Sequence, residues 1–199
     1  MPGFGLRDVS RETQERLEHY AQALLKWSSR INLVAKATHD DVWTRHIEDS
    51  VQIFSAAPVG FGTWCDLGSG GGLPGLVVAI LCREHSPNCA VTLIESDARK
   101  AAFLSMMARE LDLKAMIIRA RIESASPCAA DIVSARALAP LPKLLGYVDR
   151  HLAPGGTALL PKGRNLAQEV EDARKSWRFD VQRRQSCVDP DSVILVVNN

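Results

Sequence analysis

With 199 residues, 46% hydrophobic content and a formal net charge of +1, the chain is long enough for one full core plus an appendage and reads as globular. No stretch nears the roughly 18 apolar residues of a membrane span, and Met1 to Arg7 lack the charged and apolar regions of a signal peptide, so a cytoplasmic protein with no membrane association is expected. The near-neutral charge requires any RNA-binding surface to be local. Five cysteines, odd in number and never spaced Cys-x-x-Cys, indicate neither a disulfide frame nor a zinc site, so no metal is expected.

Ser10 can cap a first helix whose Leu17, Tyr20, Ala21, Leu24, Leu25, Ser28 and Ile31 recur at three- and four-residue steps. Thr38, with Asp41 three residues on, makes a capping pair for a second helix through Val42, Ile47, Val51 and Phe54, ended before Pro58. Residues 1–60 hold seven Lys/Arg against eight Asp/Glu, which makes this segment a lid or packing element rather than an RNA-binding arm. His46 and Asp49 lie one turn apart and could share a hydrogen bond facing the segment that follows; no third ligand stands nearby to suggest a metal.

The chain is organised around Trp64 to Gly75, where a short apolar run stops at Asp66 and opens into five glycines. Gly68, Gly70 and Gly72 can take positive φ and leave no Cβ between backbone and ligand, while Pro74 and Gly75 start a helix through Val77, Val78, Ile80 and Leu81. Glycine spacing alone also fits a dinucleotide site. The preceding acid separates the two: the Asp66-x-Gly-x-Gly-x-Gly order resembles motif I of class I methyltransferases, in which carboxylate and loop receive the aminoacid end of S-adenosylmethionine. That carboxylate would repel a pyrophosphate but not a methionine ammonium.

Val91 to Glu95 is a β-rich run ending in an acid where an adenosyl ribose needs a hydrogen-bond acceptor; Glu95 is the candidate and Asp97 the near alternative. A helix over 98–111 buries Phe103, Leu104, Met107 and Leu111, and 116–118 is the third strand. The turn after it places the backbone of Ile122 and Glu123 beside the adenine. Asp131 to Ala137 forms the fourth strand and its exit, where the transferred methyl should lie. That exit carries Ser134-Ala-Arg136 instead of the Asn/Asp-Pro-Pro-aromatic turn common in amine methylation, which argues against an amino acceptor. A helix over 140–152, a turn at Ala153 to Gly156, and a fifth strand from Thr157 to Gly163 follow, with a basic exit at Lys162 and Arg164 on the same strand-end edge as Arg136. A last helix near 165–176 and runs at 179–185 and 192–197 complete a seven-stranded α/β sheet.

Together these pieces resemble the bacterial small-subunit (16S) rRNA guanine-N7 methyltransferases, the glucose-inhibited division protein B family, over nearly the whole chain. The resemblance rests on Asn32-Leu33, Arg45-His-x-x-Asp-Ser50, Asp66 to Gly75, Arg121-x-Glu123, Ser134-Ala-Arg136-Ala137 and Pro161-Lys-Gly163, with Gly71 where many members have a proline. It implies a Rossmann-like class I methyltransferase domain over 61–199 behind a helical segment over 1–60, and S-adenosyl-L-methionine as cofactor. The implied cofactor positions are Gly68, Leu73, Ile122, Glu123 and Arg136; the residues themselves add Asp66, Gly70, Gly72 and Glu95. The resemblance implies activity for the basic exit of the fifth strand at Lys162; with Arg136 at the exit of the fourth on the same edge, Arg136 and Lys162 are the expected catalytic pair. The implied partner is 16S rRNA or an assembling small ribosomal subunit.

Guanine N7 carries a lone pair and no proton, so its attack on a sulfonium methyl requires alignment rather than a general base. Two other classes share features of the chain. A small-molecule or protein methyltransferase predicts a closed apolar cavity beside Arg136 and Lys162. A nucleotide sensor or dehydrogenase would need NAD to bind despite Asp66, and only about a hundred residues follow Glu95, too few for a separate catalytic domain.

Overall fold

A computed structural model describes residues 5–198; Met1 to Phe4, part of the opening segment read above for targeting, and Asn199 lie outside the described residues. The elements in chain order are α1 (Arg11–Ser28), α2 (Asp49–Ser55), β1 (Thr63–Leu67), α3 (Gly75–His85), β2 (Ala90–Ile94), α4 (Ala98–Glu110), β3 (Ala115–Ile118), β4 (Ala130–Ser134), α5 (Leu141–His151), β5 (Leu152–Lys162), α6 (Leu166–Arg174), β6 (Asp180–Gln185) and β7 (Val193–Asn198). The strands form one sheet in the order β3-β2-β1-β4-β5-β7-β6. Six strands run in one direction, β1 to β5 as adjacent parallel neighbours and β6 at the edge, and β7 runs antiparallel to both its neighbours. Strand order reverses between β1 and β4, and in open sheets of this kind ligands gather in the crevice at the carboxyl ends beside that switch.

Period-two alternation along the strands builds a core on each face. Trp64, Val91, Leu93, Ile132 and Leu159 pack under α1 to α4, whereas Cys65, Leu67, Ile94, Val133 and Leu160 pack under α5 and α6. The expected apolar stripe of α4 is buried; of that of α1, Leu17, Tyr20, Ala21 and Leu24 are buried, Leu25 and Ser28 are half-buried, and Ile31 lies past the helix end, while Ser10 caps α1 by accepting from the Thr13 amide at 3.2 Å. Asp97 caps α4, accepting from the amides of Arg99 and Lys100.

The second helix departs from expectation. Thr38 closes a 3-10 turn (Lys36–Thr38) and gives its hydroxyl to the Ala35 carbonyl, so the proposed Thr38/Asp41 cap does not form. A π-helical turn over Trp43–Glu48 precedes α2. The five-residue step from Val42 to Ile47 explains it: both are buried, and the wider turn keeps them on one side where a regular helix would rotate one away. β5 also begins earlier than expected. Leu152 already pairs with Ala130, and the register shift that follows absorbs the Pro-Gly-Gly turn. Among the described residues no helix is long and apolar enough to cross a membrane.

Candidate functional site

Two cavities adjoin at the carboxyl ends of β1 and β4. The first, of about 340 Å³, is lined by Gly68, Gly70, Glu95, Ile122 and Glu123, five of the sequence-predicted cofactor positions. The second, of about 520 Å³, is lined by Arg45, His46, Asp49, Arg136 and Lys162. Leu138 and Ala139 line both, so the segment leaving β4 is their shared wall. Its backbone is constrained, because Ala137 takes φ +49°, a left-handed conformation that costs a residue with a Cβ.

Asp66 does not face either cavity. It is fully buried at the centre of the sheet; Oδ1 accepts from the Ser134 hydroxyl at 2.7 Å and Oδ2 from the Gly75 amide at 3.2 Å. Ser134 in turn accepts from the Trp64 indole at 2.8 Å. Burial pushes the Asp66 carboxyl up to about 6, against the hydrogen bond from Ser134. The carboxylate expected to meet a methionine ammonium is here taken up by Ser134 and Gly75. Flanked by β2 and β4, Asp66 shapes the loop from behind and fixes the start of α3.

Glu95 closes the loop from the front. One oxygen accepts from the Gly70 amide at 2.8 Å and the other from the Asp97 amide at 2.7 Å. Asp97, spent on the α4 cap, does not line the first cavity among the described residues. A Cβ on Gly70 would meet nothing closer than the Gly68 carbonyl oxygen at 3.8 Å, but its φ of +56° disfavours any side chain, so backbone is presented directly to the cavity. Gly72 and Leu73 do not line either cavity. A Cβ on Gly72 would strike Leu76, and Leu73 is buried in the core on the α1 side, so both serve the loop's shape. Beneath them the Tyr20 hydroxyl donates to the Gly71 carbonyl at 2.7 Å and latches α1 to the loop. Glu123 accepts from the Tyr147 hydroxyl at 2.6 Å, which holds its carboxyl below the usual range.

Arg136 and Lys162 come together as the sequence suggested, but neither is a free surface cation. The Arg136 side chain is 21% exposed, with Nε 3.5 Å from Asp49 Oδ2 and Nη2 donating to His46 Nδ1. His46 Nε2 bonds Thr38 Oγ1 at 2.8 Å, and that hydroxyl is already donated to Ala35, so Nε2 is the protonated nitrogen and Nδ1 the acceptor. Burial and then the Arg136 charge lower His46 to about 4. His46 and Asp49 thus bond Arg136 rather than each other, a correction to the sequence reading. Arg136 Nη1 is a buried donor without a hydrogen-bond partner among the described residues, in a side chain on the cavity wall. Such an atom fits a ligand acceptor.

Lys162 is still more enclosed. Its side chain is 9% exposed, and Nζ donates to Glu169 Oε2 at 2.7 Å and to the Ala139 carbonyl at 3.0 Å. Glu169 also accepts from the Leu141 amide at 2.8 Å. Lys162 therefore ties the shared wall to α6. Sequence reasoning missed Leu138, Ala139 and Glu169, for which no local motif exists; His46 and Asp49 stood out for their spacing but not for their partner.

Residues 13–193 match the family model described as GidB, rRNA small subunit methyltransferase G. Among curated relatives, a ribosomal RNA small subunit methyltransferase G from Ruegeria sp. (strain TM1040) is 54% identical, the match covering 96% of this chain and 92% of that protein. One from Paracoccus denitrificans (strain Pd 1222) is 50% identical over 95% of this chain and 96% of its own length. Among solved structures, a ribosomal protein L11 methylase from Lactobacillus delbrueckii subsp. bulgaricus superposes with a TM-score of 0.61 at 16% identity, covering 77% of each chain. A 16S rRNA N2 methyltransferase of T. thermophilus, bound to AdoMet and guanosine, gives 0.54 at 16% identity over 75% of this chain and 38% of that one. These two likenesses speak for the methyltransferase fold.

Proposed function

The chain belongs to the GidB family, rRNA small subunit methyltransferase G, and from that premise we infer that it transfers a methyl group from S-adenosylmethionine to N7 of a guanine in 16S rRNA. The observation that carries the site-level reading is the pair of cavities sharing Leu138 and Ala139, one walled by glycine backbone and Glu95, the other by charged side chains around Arg136. The residues present suit the cofactor: positive-φ glycines present bare backbone, Glu95 stands at the end of β2, and Arg136 keeps one buried donor unpaired.

In this reading Gly68 and Gly70 receive the aminoacid end, Glu95 accepts from the ribose hydroxyls, and the backbone of Ile122 and Glu123 meets the adenine. Asp66, Gly72 and Leu73 act through the loop they shape. When bound, S-adenosylmethionine supplies an electrophilic methyl on sulfur. The chain's own contribution is to hold the guanine so that its N7 lone pair faces that methyl, a positioning effect that can reach roughly 7 to 11 kcal/mol in well-oriented systems. No proton has to leave N7, and accordingly His46, whose Nδ1 lone pair is already taken by Arg136, is not needed as a base.

Arg136 is the residue we assign to ligand contact, through Nη1, toward base O6, a phosphate or the cofactor carboxylate. A bidentate grip on O6 and N7 together would block the reaction. Lys162 is a positioning residue that fixes Ala139 in the shared wall. The charged lining of the second cavity suits a nucleotide better than an apolar small molecule. We further assign residues 1–60 to a helical segment packed on a methyltransferase domain over 61–199, through contacts such as Tyr20 to Gly71, and place the enzyme in the cytoplasm with an assembling small subunit as substrate.

The test is transfer of labelled methyl from S-adenosylmethionine to naked 16S rRNA, small subunits and total protein in parallel. Label in the RNA of either of the first two is expected. Label in protein alone would overturn the reading.

A further inference from the structure

Behind the turn that carries Ile122, on the face covered by α5 and α6, three side chains converge from distant parts of the chain. Cys65 comes from the middle of β1, Cys128 from the segment before β4, and His151 from the last position of α5. Their ligand atoms all lie within 4.8 Å of one another, and the two Sγ atoms are 3.4 Å apart. Cys65 and His151 are fully buried, and Cys128 is half-buried.

His151 carries the argument. Its Nε2 lies 3.0 Å from the Ile122 carbonyl oxygen, a contact that requires Nε2 to be the protonated donor. Nδ1 then keeps its lone pair, and although it is buried no N–H or O–H among the described residues reaches it; its polar neighbour is the Cys128 thiol. An imidazole that donates one nitrogen to a backbone carbonyl and leaves the other bare is the arrangement found in metal-ligating histidines, where the carbonyl fixes both ring orientation and tautomer. Here the bare nitrogen shares its cluster with two thiols.

We propose that Cys65, Cys128 and His151 form a binding site for a borderline-soft divalent ion, zinc(II) in the first instance. Two sulfurs and one nitrogen are the donors this ion prefers, and with Zn–S near 2.3 Å a tetrahedral site separates its sulfurs by about 3.8 Å. The observed 3.4 Å needs only a few tenths of an ångström of adjustment. A disulfide would need a much larger approach, to about 2.05 Å. Binding exchanges two thiol protons, released to solvent, for one divalent cation, so the cluster stays neutral in its apolar surroundings, which include Ile122, Ala125 and Val148. The half-buried side of Cys128 leaves the fourth position to water. The ion joins β1, the segment before β4 and the end of α5. The absence of any Cys-x-x-Cys spacing hides the site, because tertiary structure alone assembles it.

The experiment uses the full chain, fully reduced and stripped of metal, titrated with Co2+ and then Zn2+ without cofactor or RNA. One Co2+ per chain is expected, with visible d–d bands and a near-UV thiolate-to-cobalt band that Zn2+ abolishes, and a melting temperature that rises with Zn2+. Cys128→Ser, at the half-buried position, should weaken binding at least about tenfold and remove part of the charge-transfer band. His151→Asn should weaken it likewise, while Cys89→Ser, beside Cys82 on another face, should bind as the parent does. Absence of a thiolate-to-cobalt band in reduced protein overturns the proposal. So does uptake that Cys128→Ser leaves unchanged, or a Cys65–Cys128 disulfide whose reduction restores no metal binding.

Discussion

The Ser134 hydroxyl donates to the buried Asp66 carboxylate at 2.7 Å, joining the last residue of β4 to the acid that precedes the glycine loop. Ser134→Ala would strand both that oxygen and the Trp64 indole N–H, at a cost of about 1–3 kcal/mol in urea unfolding at pH 7. The Asp66 carboxyl stands near 6, above the unfolded value of 3.8, so its ionisation costs the folded state stability as pH rises between those values. Losing Ser134 enlarges that cost. The variant's deficit should therefore grow from pH 4 to pH 7, and a deficit that shrinks over that range would contradict the assignment.

Glu95→Ala should weaken S-adenosylmethionine binding about 10- to 100-fold by calorimetry, the equivalent of a charged hydrogen bond worth about 1.5–3 kcal/mol. The same carboxylate holds the Gly70 and Asp97 amides, so Glu95→Gln, which keeps an acceptor for one of them, should lose less. Equal binding by Glu95→Ala and the parent would remove the ribose assignment.

Arg136 and Lys162 should respond differently to substitution. Arg136→Lys keeps a charge but loses the planar donors that meet His46 and Asp49 and the unpaired Nη1, so methyl transfer should fall about 10- to 100-fold with a small shift in melting temperature. Lys162→Met leaves Glu169 without its cation and the Ala139 carbonyl without its donor, and should cost about 1–3 kcal/mol of stability. A stable Lys162→Met variant beside an unstable Arg136→Lys would reverse the roles of the two cations.

The contrast between those two residues also measures what the chain discloses before it is folded. Trp64 to Gly75, the acid ending β2 and most of the helical stripes are local patterns, and the alternation of strands and helices points to a seven-stranded α/β sheet; these were legible, whereas the strand order was not. Partners across the sheet were not. That Lys162 would meet Glu169, that Arg136 would lie under His46 and Asp49, and that Asp66 would be sealed by Ser134 depend on contacts between segments up to 90 positions apart. The π-helical turn before α2 was hidden for a different reason: its five-residue apolar step breaks the period by which helices are recognised.

His46 should titrate near 4, because burial and the neighbouring Arg136 charge both disfavour the imidazolium. Its folded value lies below the ordinary 6.5, so the stability it contributes is fully present above pH 6.5 and is lost as pH falls toward 4. Nitrogen-detected NMR titration reads the midpoint directly. Melting curves should show the parent losing more stability than His46→Gln between pH 6.5 and 4.5, and a midpoint near 6.5 would contradict the Arg136 contact.

Guanine N7 is the atom expected to receive the methyl. Deleting the gene and digesting 16S rRNA to nucleosides for mass spectrometry tests it, because N7 methylation leaves one identifiable product. Loss of one 7-methylguanosine, restored by the parent gene and not by Glu95→Ala, is the predicted result; 7-methylguanosine at its original level while a different methylated nucleoside disappears would contradict it.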